Sequence, residues 1–164
     1  MTTFEVADPE AMAALGARIA ARLEAGDLLA LNGQLGAGKT TLTRGIGEAL
    51  GVRGAVTSPT FVLARTHPRE NAAPLVHVDA YRLATALELD DLDIDFAGSI
   101  VVVEWGAGKL DGITDSWLEL DIERPVGGAV IDEEADDVVE PRTITARGHG
   151  DRWTDLGWLR APLP

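Results

Sequence analysis

Residues 33–40 read Gly-Gln-Leu-Gly-Ala-Gly-Lys-Thr and match the pattern G-x-x-x-x-G-K-[ST] at every fixed position. Glycines let a backbone bend so that successive N–H groups point at one centre, which suits the oxygens of a phosphate group. The lysine of the pattern can reach the terminal phosphates of a nucleotide, and the hydroxyl that follows can ligate magnesium. The segment therefore predicts a phosphate-binding loop, or P-loop, for ATP and Mg²⁺.

The sequence on either side of this loop supports the same interpretation. The apolar run 28–31 is typical of a buried strand, and residues 40–50 have a helical pattern that Gly51 ends. A strand, a glycine-rich turn and a helix in this order form the unit in which P-loops occur. We therefore expect the helix N-terminus to face the same anion as the loop.

Other segments predict further helices and strands. Asp8 followed by Pro9 predicts the start of a helix that Gly26 ends. The run 100–103 is continuously β-branched, which favours a strand buried on both faces. The pattern also predicts strands at 61–63, 75–78, 117–122 and 138–146, a loop at 67–74, and short helices at 85–91 and 151–159.

Composition limits the class of protein. A formal charge of −13 disfavours direct contact with a nucleic acid, because no basic cluster offsets it. The chain lacks cysteine, which excludes disulfides and thiolate metal sites. No apolar run is long enough to cross a bilayer and the N-terminus does not resemble a signal peptide, so we expect a cytoplasmic protein. A length of 164 residues fits a single domain, with 151–164 as a short C-terminal helix or tail.

Two carboxylates follow predicted strands and are candidates for the chemistry. Asp79 ends the run 75–78, and Glu104 ends the run 100–103. A P-loop needs a carboxylate at the end of a neighbouring strand to fix the metal ion and its water shell. Because the second strand is the more apolar, we assign Glu104 to magnesium, and Asp79 to the γ-phosphate side, where it would orient water or couple to a switch.

Two segments near these carboxylates are less specific. The turn that includes Ser58 and Thr60 lies where many P-loop proteins carry a mobile loop that senses the γ-phosphate, although a plain turn fits equally well. His77, Tyr81 and Arg82 surround Asp79 in sequence, where a histidine in a strand is more often a satisfied core or edge residue.

These segments together resemble one family. The stretch 77–83, His-Val-Asp-Ala-Tyr-Arg-Leu, is similar to the H-x-D-x-Y-R-L segment of the bacterial tRNA threonylcarbamoyladenosine biosynthesis ATPase subunit, the TsaE family. The P-loop at 35–41, Ser-Pro-Thr at 58–60 and Val-Glu-Trp at 103–105 follow the family's order and spacing. The resemblance covers about residues 5 to 147 and is more specific than the P-loop alone.

The resemblance implies a fold and a function. The fold would be an α/β P-loop NTPase fold, with a mostly parallel sheet, helices on both faces, and antiparallel strands toward the C-terminus. The protein would be an ATPase, weak alone, within the complex that forms the threonylcarbamoyl modification on adenosine next to the anticodon of tRNAs reading ANN codons. Its partners would be the threonylcarbamoyltransferase subunit and that subunit's paralogous partner, with tRNA reached only through the complex and no membrane involved.

The expected site residues divide into five groups. Lys39, Asp79 and Glu104 are the catalytic candidates, and Thr40 with Glu104 would hold magnesium. Ser58, Thr60, Tyr81, Arg82 and Trp105 are candidates for a switch or for coupling to partners, and Arg142 is a candidate for approaching the nucleotide. The nucleotide-binding candidates are Gly33, Leu35, Gly36, Ala37, Gly38, Lys39, Thr40 and Thr41.

Three alternative functions remain distinguishable. A small-molecule kinase needs a lid with several arginines. Residues 105–140 contain one arginine, Arg124, which disfavours a kinase. A GTP-driven switch is disfavoured because neither Asn32 nor Asn71 is followed by lysine, as the guanine-recognition segment requires. A nucleotide-gated assembly module with incidental hydrolysis stays open, because it needs the same loop.

Overall fold

The computed structural model describes residues 1–34, 36–54, 56, 63–80, 83, 88–89, 92–105, 110, 113–124 and 140–160. The strands are β1 (Thr2–Val6), β2 (Leu28–Gly33), β3 (Ala64–Arg69), β4 (Ala72–Asp79), β5 (Ile100–Glu104), β6 (Trp117–Glu123) and β7 (Arg142–His149). The α-helices are α1 (Pro9–Ala20) and α2 (Lys39–Leu50), and two 3₁₀ turns follow at Asp151–Trp153 and Gly157–Arg160.

The seven strands form one mixed sheet in the order β1-β7-β6-β2-β5-β4-β3. The pairs β2–β5, β2–β6 and β4–β5 are parallel, whereas β1–β7, β6–β7 and β3–β4 are antiparallel. Five strands therefore run in one direction, and only β3 and β7 oppose them. This agrees with the predicted α/β class, including its antiparallel C-terminal extension. The carboxyl ends of β2, β4 and β5 meet at one edge, where open α/β sheets bind ligands.

Both helices begin where the local chemistry predicts, and α2 also ends there. The Asp8 carboxylate accepts a hydrogen bond of 2.7 Å from the Ala11 N–H and caps α1, and Pro9 occupies the first turn. Gly51 ends α2 in a left-handed conformation at φ 73°. Helix α1 ends at Ala20, earlier than predicted, and a turn carries the chain to β2.

Apolar side chains form two clusters, one on each face of the sheet. Both α-helices belong to the larger cluster, with Leu15, Ile19 and Ile46 packed against the β2 side chains of Leu29 and Leu31. The other face is covered by side chains from described residues between 80 and 117, of which residues 88 and 89 are helical. β5 contributes to both clusters and is buried throughout, as its β-branched run predicts.

Helices α1 and α2 pack at very short range. A Cβ atom added at Gly45 would lie 2.7 Å from the Ala13 carbonyl oxygen, and one at Gly16 would lie 2.8 Å from the Leu42 carbonyl oxygen. The two backbones therefore approach closely enough that only glycine fits at these positions. This contact fixes α2, and with it the end of the P-loop, against α1.

The predicted loop at 67–74 is wrong. β3 continues to Arg69 and β4 begins at Ala72, so only Glu70 and Asn71 form the turn of a β-hairpin. Asn71 supplies the left-handed residue at φ 56°. The register shifts between His67 and Arg69, so Pro68 and Pro74 both lie at an irregularity in the ladder. Proline is tolerated at a bulge because it has no N–H to donate, which is why these turn-forming residues did not end the strands.

Three smaller predictions need correction. β1 was not predicted, and β7 is described from Arg142 and extends to His149, beyond the predicted end at residue 146. The predicted helix at 151–159 is two separate 3₁₀ turns, and the side chains of Trp153, Leu156 and Leu159 are buried. Residues 61–62, most of 85–91 and residues 138–139 lie outside the described part of the chain.

The helices in the described part of the chain include none with the length and apolar character that crossing a lipid bilayer requires.

Candidate nucleotide-binding site

The P-loop connects β2 to α2, and its backbone has the conformations that glycine permits. Gly36 and Gly38 adopt positive φ angles of 80° and 114°, and Gly38 is the N-cap of α2. Gly38 has no side chain with which to cap this helix, and the first amides of an α-helix have no acceptor within it. The N-terminus of α2 is therefore available to an anion that lies in the bend.

Two glycines in this segment are also required by their neighbours. A Cβ atom at Gly33 would lie 2.7 Å from the Ile122 carbonyl oxygen of β6, because β2 and β6 are paired there. A Cβ atom at Gly38 would lie 3.2 Å from the Met12 Cε of α1. The loop is thus held between β6 and α1, and larger residues would displace it.

The Lys39 ammonium lies inside the bend. It donates hydrogen bonds to the carbonyl oxygens of Gly33 and Gln34, at 2.7 and 3.1 Å. It also lies 4.1 Å from the centre of the Trp105 ring, within the range of a cation–π contact. Burial lowers the pKa of Lys39, and the nearby carboxylates of Glu104 and Asp79 act in the opposite direction. The ammonium is therefore held close to two negative charges and two carbonyl dipoles.

Asp79 and Glu104 are direct register partners at the carboxyl ends of β4 and β5. Both are buried, at 8% and 3% exposure. Leu31 of β2 is the register partner of Glu104 of β5. The strand that leads into the P-loop, β2, is therefore the direct neighbour of the strand that carries Glu104. The sheet therefore brings together Lys39, Asp79 and Glu104, the three residues that the sequence identified as catalytic candidates.

Trp105 has an unusual backbone conformation directly after Glu104. Its φ angle is 62°, which is uncommon for a residue with a side chain and costs about 1–3 kcal/mol. In this conformation its N–H donates a 2.7 Å hydrogen bond to the Leu31 carbonyl oxygen. The backbone turn thus ties the end of β5 to β2 and places the indole beside Lys39.

The remaining nucleotide-binding candidates occupy the positions that the motif predicts. Thr40 and Thr41 lie in the first turn of α2, and Ala37 is buried in the loop. The Ala37 N–H donates to the Gln34 carbonyl oxygen at 3.0 Å, which closes the turn of the loop. The predicted residues outside the described part of the chain are Leu35, Ser58, Thr60, Tyr81 and Arg82.

The donor set fits magnesium bound partly through a nucleotide. Glu104, Asp79 and the hydroxyl-bearing Thr40 belong to elements that meet at one edge of the sheet. Within the described residues, no group of three or more histidine, aspartate or glutamate side chains forms a complete metal site. Magnesium in phosphate-transfer sites takes one or two protein ligands and completes its octahedron with water and phosphate oxygens.

Two residues acquire contacts that the sequence did not reveal. His77 is fully buried and its Nε2 lies 3.0 Å from the Glu104 Oε2, whereas sequence reasoning favoured a satisfied core histidine. Arg142 contacts the carbonyl oxygens of Gly36 and Ala37 rather than reaching the inside of the loop. Only the strand register and the pairing of β7 with its neighbours bring these side chains to the site.

Comparison with known proteins gives one consistent result. The family model for the threonylcarbamoyl adenosine biosynthesis protein TsaE matches residues 6–127. A Streptomyces coelicolor protein named tRNA threonylcarbamoyladenosine biosynthesis protein TsaE is 56% identical over 146 residues, which cover 87% of this chain and 93% of the relative. A Bacillus subtilis protein of the same name is 36% identical over 122 residues, covering 74% of this chain and 77% of the relative.

A solved structure has the same architecture. The crystal structure of Bacillus subtilis YdiB superposes with a TM-score of 0.68 at 30% identity, and the match covers 93% of this chain and 88% of that one. The range matched by the family model includes the P-loop, Asp79 and Glu104, and it ends before β7 and Arg142.

Proposed function

The chain belongs to the TsaE family of tRNA threonylcarbamoyladenosine biosynthesis proteins, and from this premise we propose that it binds Mg·ATP and hydrolyses it. Hydrolysis would take place within the complex that forms the threonylcarbamoyl modification on adenosine next to the anticodon of tRNAs reading ANN codons. The chain alone would be a weak ATPase.

One observation carries the proposal for ATP. The Lys39 ammonium is buried inside a glycine bend, next to two carboxylates that end neighbouring parallel strands. A structural glycine turn needs neither a buried lysine nor paired strand-end carboxylates, and burial of three ionisable groups is costly unless they act together. A divalent cation would offset the two carboxylates, and Lys39 with the amides at the start of α2 would then face the phosphates.

Each residue has a role that follows from its position. Lys39 would bind the β- and γ-phosphates, and the amides at the start of α2 would bind phosphate oxygens. Thr40 and Glu104 would hold magnesium, which, when bound, neutralises charge that develops on the phosphates. Asp79 would orient the attacking water, because it lies beside Glu104 on the neighbouring strand.

The partners and location proposed for the chain follow its family and its charge. We assign it to the cytoplasm, beside the threonylcarbamoyltransferase subunit and that subunit's paralogous partner. With a net charge of −13 the chain would repel an RNA backbone, which supports contact with proteins rather than with tRNA directly.

An ATPase assay of the chain with and without the two candidate partner proteins tests this function. We expect turnover to rise when the partners are added, and Lys39→Ala and Glu104→Ala to abolish that rise. Glu48→Gln, which changes an exposed carboxylate on α2, is the matched control and should behave as the wild type. Unchanged turnover in both site variants would contradict the catalytic assignment. Nucleotide-dependent assembly with no turnover would favour the assembly module instead.

A further inference from the structure

Arg142 connects the last strand of the sheet to the backbone of the P-loop. It is the first residue of β7, where it pairs with Val6 of β1. Its Nε donates to the Ala37 carbonyl oxygen at 3.0 Å, and its Nη2 donates to the Gly36 carbonyl oxygen at 3.4 Å. Two consecutive peptide groups of the loop are therefore held by one guanidinium.

The guanidinium is itself fixed in place. Its Nη1 donates to the Glu140 carbonyl oxygen at 3.0 Å and lies 3.7 Å from the Glu140 carboxylate. The side chain of Arg142 is 19% exposed, and its bond to Ala37 is partly buried whereas its bond to Gly36 lies at the exposed edge. Because a guanidinium is planar and presents several donors in fixed directions, it fixes the directions of the two carbonyl groups that it binds.

The position of these carbonyls determines where the loop's amides point. In a planar trans peptide the C=O and the following N–H point in opposite directions. Holding the carbonyl oxygens of Gly36 and Ala37 toward β7 therefore directs the N–H groups of Ala37 and Gly38 away from β7. The Ala37 N–H donates to the Gln34 carbonyl oxygen and closes the turn, whereas the Gly38 N–H belongs to the N-cap residue of α2.

Positive charge also accumulates on this outer side of the loop. The Arg124 Nη1 lies 3.7 Å from the position of a Cβ atom at Gly36, and Arg124 donates to Glu140 at 3.4 Å. Burial and the neighbouring Arg124 lower the pKa of Arg142, and Glu140 acts in the opposite direction. Among the described residues there, two arginines and one glutamate leave a net positive charge behind the loop, which favours a polyphosphate in front of it.

We infer that Arg142 is a positioning residue for the P-loop: it holds the carbonyl oxygens of Gly36 and Ala37 toward β7 so that the Gly38 N–H, at the start of α2, faces the phosphates, and it thereby sets nucleotide affinity. This inference rests on the proposed binding of Mg·ATP. It gives the C-terminal strand, which lies outside the range matched by the family model, a role in the site.

Calorimetry with Mg·ATP and Mg·ADP on the full chain tests the inference. Arg142→Gln should weaken the binding of both nucleotides alike, on the order of tenfold, because a bond to a charged group is lost. Arg142→Lys should lose less, since an ammonium can still donate to one carbonyl. Arg147→Gln is the matched control, because it removes an arginine of the same strand that pairs with Asp121 instead. A larger loss for ATP than for ADP would indicate direct contact with the γ-phosphate and would overturn the inference.

Amide hydrogen exchange without nucleotide gives a second, independent readout. Arg142→Gln should speed exchange within residues 33–41 while leaving β5 and β6 protected, and Arg147→Gln should leave exchange in the loop unchanged. If Arg142→Gln and the wild type showed equal exchange and equal affinity, the inference would be refuted but the proposed function would not. If the wild type binds neither nucleotide, the proposed function fails and the role in affinity fails with it, whereas the exchange result still decides whether Arg142 holds the loop.

Discussion

His77 and Glu104 lie side by side in the interior of the sheet, with the Nε2 of the imidazole 3.0 Å from the Oε2 of the carboxylate. The contact lacks hydrogen-bond geometry, and neither ring nitrogen of His77 has a hydrogen-bond partner among the described residues. A buried polar ring in this position is costly unless it serves the carboxylate beside it. If Glu104 holds magnesium as proposed, an imidazole 3.0 Å from its carboxylate is placed to orient it.

Replacing His77 should therefore change the dependence of nucleotide binding on magnesium. We expect His77→Leu to raise the half-saturating Mg²⁺ concentration by about tenfold, because the orientation of Glu104 is lost. His77→Gln keeps a donor and should have a smaller effect. Titration of MgCl₂ at fixed ATP, followed by calorimetry, measures this. An identical requirement for Mg²⁺ in His77→Leu and the wild type would show that the imidazole only fills space.

Trp105 should report the arrival of a nucleotide through its fluorescence. Its ring lies 4.1 Å from the Lys39 ammonium, so a change in the charge around Lys39 alters the surroundings of the indole. We expect Mg·ATP to change the tryptophan emission of the wild type but not that of Trp105→Phe. Trp158→Phe, which removes a tryptophan that packs against Arg22 instead, should keep the change. A response that survives Trp105→Phe would assign the signal to another tryptophan.

His67 should make the stability of the fold depend on pH. It is buried, and burial, His77 and Arg65 lower its pKa from the ordinary value of 6.5. Below pH 6.5 the unfolded chain then binds more protons than the folded chain, so the free energy of unfolding falls as pH falls through this window. Urea unfolding at pH 7.5 and 5.5 should show a smaller difference for His67→Gln than for the wild type. His149→Gln, a substitution at a partly exposed histidine, is the control. Equal differences for all three would contradict the assignment.

Asp27 and Arg152 should contribute to global stability rather than to nucleotide binding. The Asp27 carboxylate is 5% exposed and accepts bonds of 2.5 and 2.7 Å from Arg152 and 2.8 Å from the Glu24 N–H. Arg152→Ala leaves this buried carboxylate with one of these donors and should cost about 1–3 kcal/mol, since the guanidinium is partly exposed and water replaces part of the loss. Denaturant unfolding measures the change. If Arg152→Ala bound Mg·ATP more weakly than the wild type under conditions in which both are fully folded, a purely structural role would be contradicted.

Much of the fold follows from signals that are local in sequence. The cap at Asp8, the end of α2 at Gly51 and the buried run 100–103 each depend on residues within a few positions, so they were predicted correctly. β1 was missed because it is stabilised by pairing with β7, some 140 residues away, as the register of Thr2 with Ala146 shows. The β3–β4 hairpin was missed because prolines in a bulge have the same local pattern as prolines in a loop.

The site was predictable to a similar extent and for the same reason. The P-loop pattern identified Lys39, and the strand-end positions identified Asp79 and Glu104. Parallel pairing brings the carboxyl ends of β2, β4 and β5 together. The contacts of His77 and Arg142 depend on register and on the path of β7, which no short pattern encodes. The strained backbone at Trp105 likewise results from its bond to Leu31 on another strand.

The central claim is that the bend at residues 33–41 holds a triphosphate, and isothermal calorimetry of the purified full chain with Mg·ATP tests it most directly. We expect one site per chain in the wild type and a loss of at least about tenfold in affinity for Lys39→Ala, because the buried ammonium is removed from the phosphates. Absence of binding by the folded wild type, both alone and with the candidate partner proteins, would contradict the account, as would equal affinity in the wild type and Lys39→Ala.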